Sequence, residues 1–329
     1  MKKVIEYFKG NPIVVMLAVV SLIVGFTTPN FFSWGTFGNL VSNTCIRFII
    51  ALGVSGCLIT KGTDLSAGRQ TGLWACLSGI LVQRSDYSGK LFPNVPTFNI
   101  FAALLVVILL GALVGLVNGS IVSRLKVPPF IATLGTQTII YGSCLVLTNA
   151  QPIGGFQSGY TELVTGRIGN VNGFHLPYLL FVALAVGLFF GFLYNLTRHG
   201  KYMYAIGGNE SAAEVSGVNT AKTLTLIYII AGMMYGLAGW LLAAKSGGAS
   251  ASMGQGYELE AIAGCTIGGV STTGGIGTVS GVLVGVLVFE LLKIVLQFLG
   301  VNPYYNYIVQ GLVIVTAVAL DIRKNIQKK

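Results

Sequence analysis

The sequence predicts an all-α polytopic membrane protein of about ten transmembrane helices, folded as one unit over residues 1–329. Three observations carry this. Hydrophobic residues make up 53% of the chain and charged residues only 9%, with a mean hydropathy of +0.78; a soluble domain carries about 25% charged residues, so this chain cannot cover its surface against water. Apolar runs of roughly 20 residues, the length that crosses a bilayer, recur along it. Its basic residues are divided unevenly between the connections, which is how orientation is encoded in such proteins.

The spans expected are 12–28, 43–60, 65–83, 98–121, 129–148, 176–196, 223–244, 259–270, 278–299 and 305–320. The first is followed by TTPNFF, which offers no small-x-small cleavage site, so it reads as a helix and not as a secretory signal. The third carries Arg69 and Gln70 near its start, and the eighth is short and glycine-rich. The fourth and fifth meet in GALVGLVNGSIVSRLKVPPFI, and the ninth and tenth in GVLVGVLVFELLKIVLQFLGVNPYYNYI. Both have a glycine-rich helix, then Val-x-Pro-aromatic, then another helix. In this topology the two units enter from opposite sides, as inverted repeats do. The 45 glycines suit close helix approach in lipid.

Ten crossings put both termini on one side. Facing that side are Lys2, Lys3, Lys9, Lys61, Arg69, Arg124, Lys126, Arg198, Lys201, Lys222, Arg323, Lys324, Lys328 and Lys329, against Arg47, Arg84, Lys90, Arg167 and Lys245 on the other. The positive-inside rule makes both termini cytoplasmic. The net charge of +10 is therefore a topology signal, and no nucleic-acid partner is expected. The longest external connection, 149–175, is rich in Gly, Asn and aromatic residues and suits a folded loop that meets a partner or a polar solute. The longest cytoplasmic one is 197–222.

Much familiar chemistry is missing. The Gly-Lys pairs Gly89-Lys90 and Gly200-Lys201 are followed by Leu91 and Tyr202, so no phosphate-cradling loop exists for ATP. GGIGTVSG, 274–281, departs from a dinucleotide fingerprint at Ser280 and reads as a helix-breaking or helix-packing turn. Cys45, Cys57, Cys76, Cys144 and Cys265 match neither a metal site nor a disulfide framework and read as small apolar filler. No acid pair or His/Cys cluster suggests an enzyme. His175 and His199 flank opposite ends of the sixth span, and His199 reads as a basic residue complementing a helix end.

Four groups of polar residues remain. TKGTDLSAGRQTG puts Asp64, Ser66 and Arg69 at the junction of two spans, where the charges either pair to lock a bent junction or line a solute path or gate. Asn118, Thr133, Thr136, Gln137 and Gln310 either contact a hydroxylated solute or bond between helices; Asp64, Ser66, Arg69, Asn118, Thr133 and Gln137 are the candidates for the path. Glu290 and Lys293 stand at i, i+3, the spacing of a same-face pair. The fourth group is AIGGNESAAEVSG. Asn209 offers an N-cap, Gly217 a stop, and Ala212, Ala213, Glu214, Val215 and Ser216 a short helix that could plug a cleft on a soluble partner.

Four motifs together resemble the permease subunit of bacterial ABC sugar importers in the ribose/galactose/xylose branch. They are GTDLSAGR (62–69), VPPFIATLGT (127–136), AIGGNESAAEVSGVN (205–219) and AIAGCTIGGVSTTGGIGTVSG (261–281), and the resemblance runs over about 12–325. DLSAGRQ, PIGGFQSG and GVNPYYNYI are most similar to the galactose/methyl-galactoside group. The resemblance implies a type II importer-like fold in the bacterial inner membrane, working as a homodimer. It also implies a cytoplasmic ABC ATPase that holds the ATP, a periplasmic sugar-binding protein, and a monosaccharide passed unchanged. By the same resemblance Gly207, Gly208, Asn209, Glu210, Ala212, Ala213, Ser216 and Gly217 match the coupling helix that sits in a cleft of the ATPase. A ribose or other pentose permease and a stand-alone sugar facilitator are the competing readings.

Overall fold

The computed structural model describes residues 12–171, 174–302 and 304–326; Lys2, Lys3, Lys9, Lys328 and Lys329 of the charge count lie outside them. In chain order the elements are α1 (Pro12–Thr27), α2 (Trp34–Ile59), α3 (Ala67–Leu81), α4 (Ile100–Ser123), α5 (Pro129–Thr148) and α6 (Ser158–Thr165). A hairpin of β1 (Arg167–Val171) and β2 (Phe174–Pro177) follows, then α7 (Tyr178–Leu196), α8 (Arg198–Gly208), α9 (Glu210–Val215), α10 (Thr220–Ser246), α11 (Tyr257–Ile267), α12 (Val279–Phe298) and α13 (Tyr305–Ile326).

All ten stretches expected to be spans are helical. Among the described residues six helices, α2, α4, α5, α7, α10 and α12, are long and apolar enough to cross a membrane. The first, third, eighth and tenth expected spans, α1, α3, α11 and α13, are not among the six. At 1.5 Å per residue, the 15-residue α3 and 11-residue α11 cannot each bridge about 30 Å of hydrocarbon. The all-α expectation also needs correction. The connection 149–175 holds α6 and most of an antiparallel hairpin in which Ile168 pairs with Leu176 and Val171 with Phe174. Isolated bridges join Gln83 to Phe156 and Ile153 to Ala249, and Tyr160 of α6 donates to the Trp240 carbonyl at 2.5 Å. This connection is thus a folded cap over one end of the bundle.

α10 is the axis. Its side chains are mostly buried, and it packs along α2, α3 and α4. The α4–α10 seam shows why glycine is so abundant. A Cβ on Gly111 would lie 2.2 Å from the Gly232 carbonyl oxygen, and one on Gly232 2.0 Å from the Gly111 carbonyl oxygen. Glycines four apart on each helix thus let two backbones touch, giving van der Waals contact where lipid supplies no hydrophobic drive. α11 and α12 meet the same way: a Cβ on Gly285 would be 1.8 Å from the Gly264 carbonyl oxygen. The two candidate repeat units are both a helix, a short connection and a second helix, α4–α5 and α12–α13.

Candidate functional site

Three constellations stand out, beginning with the segment 197–222. It contains two helices where the sequence suggested one. Thr197 caps α8, its hydroxyl accepting from the Gly200 amide at 3.1 Å. Asn209 breaks the chain and caps α9, its Oδ1 accepting from the Ala212 amide at 3.0 Å. Gly217, at φ +86°, ends α9 with the Val218 amide on the Ala213 carbonyl at 3.0 Å. The cap and stop are those expected from the residues. Inside α9 only Ala213 is buried, against Ile206 and Leu224, while Glu210, Ala212, Ser216 and Gly217 are exposed and Val215 is 90% exposed.

The inner side of this segment is clamped to the bundle. A Cβ on Gly207 would lie 1.9 Å from the Ile59 carbonyl oxygen and 2.5 Å from the Gly275 nitrogen. The Gly275 amide donates to Ile59 at 2.8 Å, Tyr204 OH to the Gly277 carbonyl at 2.8 Å, and Lys61 Nζ to the Gly208 carbonyl at 3.2 Å. Lys126 pairs with Glu210 at 3.1 Å. The first part of GGIGTVSG, 274–278, is therefore a turn in the α11–α12 connection that rests on α8, and its last three residues open α12. A cleft of about 220 Å³ opens between this segment and the bundle, lined by Lys61, Lys126, Pro128, Ile206, Glu210 and Tyr228 among others. His199 sits in the first turn of α8, at the positive end of the dipole, so the complementing-charge reading is overturned. Burial instead lowers its pKa and favours the neutral ring.

The second constellation is the junction before α3. Asp64 and Arg69 do not pair. Asp64, fully buried, accepts through Oδ1 from the Ser66 amide at 2.9 Å and hydroxyl at 2.5 Å, and through Oδ2 from Tyr235 OH at 3.1 Å. Ser66 Oγ in turn accepts from Asn118 Nδ2 at 3.0 Å and Gln70 Nε2 at 2.9 Å, and Thr136 donates to Asn118 Oδ1 at 2.6 Å. Thr133 Oγ1 lies 3.0 Å from the Thr63 carbonyl and 3.1 Å from the Leu65 amide. One hydrogen-bonded network thus ties the 62–66 turn to α3, α4, α5 and α10, satisfying buried groups that would each cost about 1–3 kcal/mol if left without a partner. Arg69 points elsewhere, its guanidinium 4.0 Å over the Tyr141 ring. Gln137 lies one turn from Tyr141 on α5, and its Oε1 finds no partner among the described residues.

The third is a buried ionic cluster. Arg47 Nε lies 2.6 Å from both Glu260 Oε2 and Glu290 Oε1, and Lys293 Nζ lies 2.5 Å and 3.1 Å from the same two oxygens. Arg47 also stands 4.6 Å over the Tyr257 ring. The Glu290–Lys293 pair expected from spacing is present, but as half of a charge-neutral cluster spanning α2, α11 and α12. Arg47, counted above among the charges of one face, belongs here near the middle of α2, and Arg69 lies in the first turn of α3. Glu260, Glu258 and Gln70 were missed; two acids opening an apolar run, GYELEAIAG, were the signal available. All five cysteines are free and buried, as expected of filler, and no cluster able to hold a metal occurs among the described residues.

The family model for the permease component of branched-chain amino acid transport systems matches residues 36–318. The chain is 44% identical over its whole length to the galactose/methyl galactoside import permease protein MglC of Escherichia coli (strain K12), covering 98% of that relative. The MglC of Haemophilus influenzae is 43% identical over 99% of this chain and 98% of its own. The ribose import permease protein RbsC of Escherichia coli (strain K12) is 34% identical over 95% of this chain and 92% of its own. No solved structure matches. The chain belongs to the family described as branched-chain amino acid transport system / permease component.

Proposed function

We propose that the chain is the membrane permease of an ATP-driven importer for galactose or methyl galactoside, working as a homodimer in the inner membrane of a bacterium. The full-length likeness to two galactose/methyl galactoside import permeases supports the substrate. The observation that carries the mechanism is the 197–222 segment: its inner side is fixed to α2 and the α11–α12 turn by backbone contacts, and its outer side presents the exposed face of α9, with Val215 90% exposed. Such a segment is built to be pushed. A cytoplasmic ATPase holding the ATP would seat α9 in a cleft, and its closure would move α8, the turn and α11 together. This chain binds no cofactor in that scheme.

About ten crossings, two of them half-length, put both termini and the 197–222 segment in the cytoplasm, in agreement with the basic residues of the remaining loops. The cap of α6 and the hairpin then faces a periplasmic sugar-binding protein. Sugar passes by alternating access near Asp64, Ser66, Arg69, Asn118, Thr133 and Gln137. Asp64, Ser66 and Asn118 are bonded to one another and Thr133 to the backbone of the 62–66 turn, so these four hold the wall, while Arg69 stacks on Tyr141 and Gln137 keeps an amide oxygen without a partner among the described residues. A population switch needs contacts that differ between states, and α9 supplies the nucleotide-dependent one.

Co-purification tests the docking. A tagged permease co-expressed with its ATPase should retain it, and Val215→Asp and Glu210→Arg should lose it while still inserting. Retention by both variants would refute α9 as the docking element. Galactose and ribose uptake by the same complex separates the two sugar readings.

A further inference from the structure

The break between α10 and α11 lies deep in the bundle. Residues 247–256 are irregular, with Gly247, Gly254 and Gly256 all at positive φ, and run against the first turns of α3. A Cβ on Gly72 would lie 2.2 Å from the Met253 carbonyl oxygen, and one on Gly68 2.3 Å from that of Gly254. α11 then reaches the end that carries α8, while its own start lies level with Arg47 in the middle of α2, through Glu260. Irregular backbone at membrane depth survives only where protein covers it or where it lines a polar cavity. Gln310 of α13 caps one freed carbonyl, donating to Gly256 at 3.3 Å.

The side chains around this break carry unspent hydrogen-bonding capacity. Glu258 lies over Gly68, whose added Cβ would be 2.0 Å from Oε2, and is 6% exposed; yet that oxygen has no hydrogen-bond partner among the described residues. Arg69, the next residue along α3, has five donors and makes one long bond, 3.4 Å from Nη1 to the Ala251 carbonyl, while stacking on Tyr141. Gln137, a turn from Tyr141, and Gln70, behind Arg69 on α3, each have a buried amide oxygen without a partner. A native fold rarely leaves three such buried oxygens without a use for them. Their sum is neutral: one carboxylate, one guanidinium, two amides. Acceptors and a forked donor with no net charge suit a polyhydroxylated, uncharged ligand better than an anion or a cation.

We propose that Glu258, Arg69, Gln137 and Gln70 form a hydroxyl-reading subsite at the α10–α11 break, which takes a neutral pyranose in passage. This rests on the importer reading. It makes Glu258 a specificity-determining residue, set on the half-helix that leads into the turn holding Gly207 and Tyr204 of the coupling segment, so that movement of α8 would tighten or release it.

Cysteine labelling in the full complex tests this. Glu258→Cys and, separately, Gln137→Cys are made in a chain whose five native cysteines are replaced by alanine, and treated with a quaternary-ammonium methanethiosulfonate in each nucleotide state. Both positions should label in at least one state, and galactose delivered by the binding protein should suppress the labelling. No labelling in any state, in a complex that still transports, would show a closed structural cluster and overturn the subsite; so would labelling indifferent to sugar. In Glu258→Gln, the preference for galactose over a deoxygalactose should fall about tenfold, the worth of one hydrogen bond to a charged group; an unchanged preference counts against the assignment. Loss of ATP-driven uptake in the native complex would instead strike the importer reading, a separate outcome.

Discussion

Replacing Arg47 with methionine tests the ionic cluster most sharply. Arg47 meets two carboxylates at 2.6 Å each, with side-chain exposures of 17% for Arg47, 11% for Glu260 and 2% for Glu290. Two unit charges about 4 Å apart attract by about 4 kcal/mol at an effective dielectric of 20. Desolvation offsets part of that, but removing one partner leaves a net negative charge shared by Glu260 and Glu290, with Lys293 alone to answer it. The cost should be about 3–5 kcal/mol, the range for breaking a buried pair. Methionine keeps most of the volume, so packing contributes little. Reversible unfolding in mixed detergent, followed by fluorescence of Trp34, Trp74 and Trp240, reads the loss. The double variant Arg47→Met/Glu260→Gln restores neutrality, leaving Glu290 with Lys293, and should recover at least half of it. Residues in one network are expected to couple in this way. An Arg47→Met protein as stable as the parent, or a double variant whose losses simply add, would refute the reasoning.

Three further outcomes follow from the geometry. Gly207→Val places a side chain against the Ile59 carbonyl and Gly275; the protein should insert and still bind ATPase, yet lose most ATP-driven uptake, and full uptake would contradict the clamp. Asp64→Ala strips acceptors from Ser66 and Tyr235 and should cost about 2–4 kcal/mol in the unfolding assay, since buried donors are left unmade, with Asp64→Asn milder because one acceptor survives. His199 has a folded-state pKa lowered below 6.5 by burial. Stability should therefore be complete above 6.5 and fall as pH drops through it, and His199→Asn should flatten that dependence; a parent stability that rises on acidification contradicts it.

The helices were legible because apolar length and glycine spacing are local properties. So were the ends of α9, since a cap and a stop need only Asn209 and Gly217 in the right order. Glu290–Lys293 was legible for the same reason, its partners being one helical turn apart. What sequence could not give is partnership at a distance: Arg47 and Glu260 are 213 positions apart, so Arg47 read as a loop charge. Asp64 and Arg69 looked like a pair by proximity, but a helix start aims neighbouring side chains apart, one to Tyr235 and the other to Tyr141. The α6 and hairpin cap was hidden because its glycines and asparagines read equally as loop. Half-helices α3 and α11 read as weak spans, and only the contacts of Gly68 and Gly72 with residues 253–254 show that they meet inside the bundle.

Under the proposed function this chain passes sugar only when an ATPase drives it through the 197–222 segment. Uptake of labelled galactose into vesicles holding the chain, its ATPase and the binding protein measures it directly. Uptake should stop without ATP hydrolysis and fail with Glu210→Arg. Galactose entering vesicles that hold this chain alone would contradict the proposed function and make the chain a facilitator.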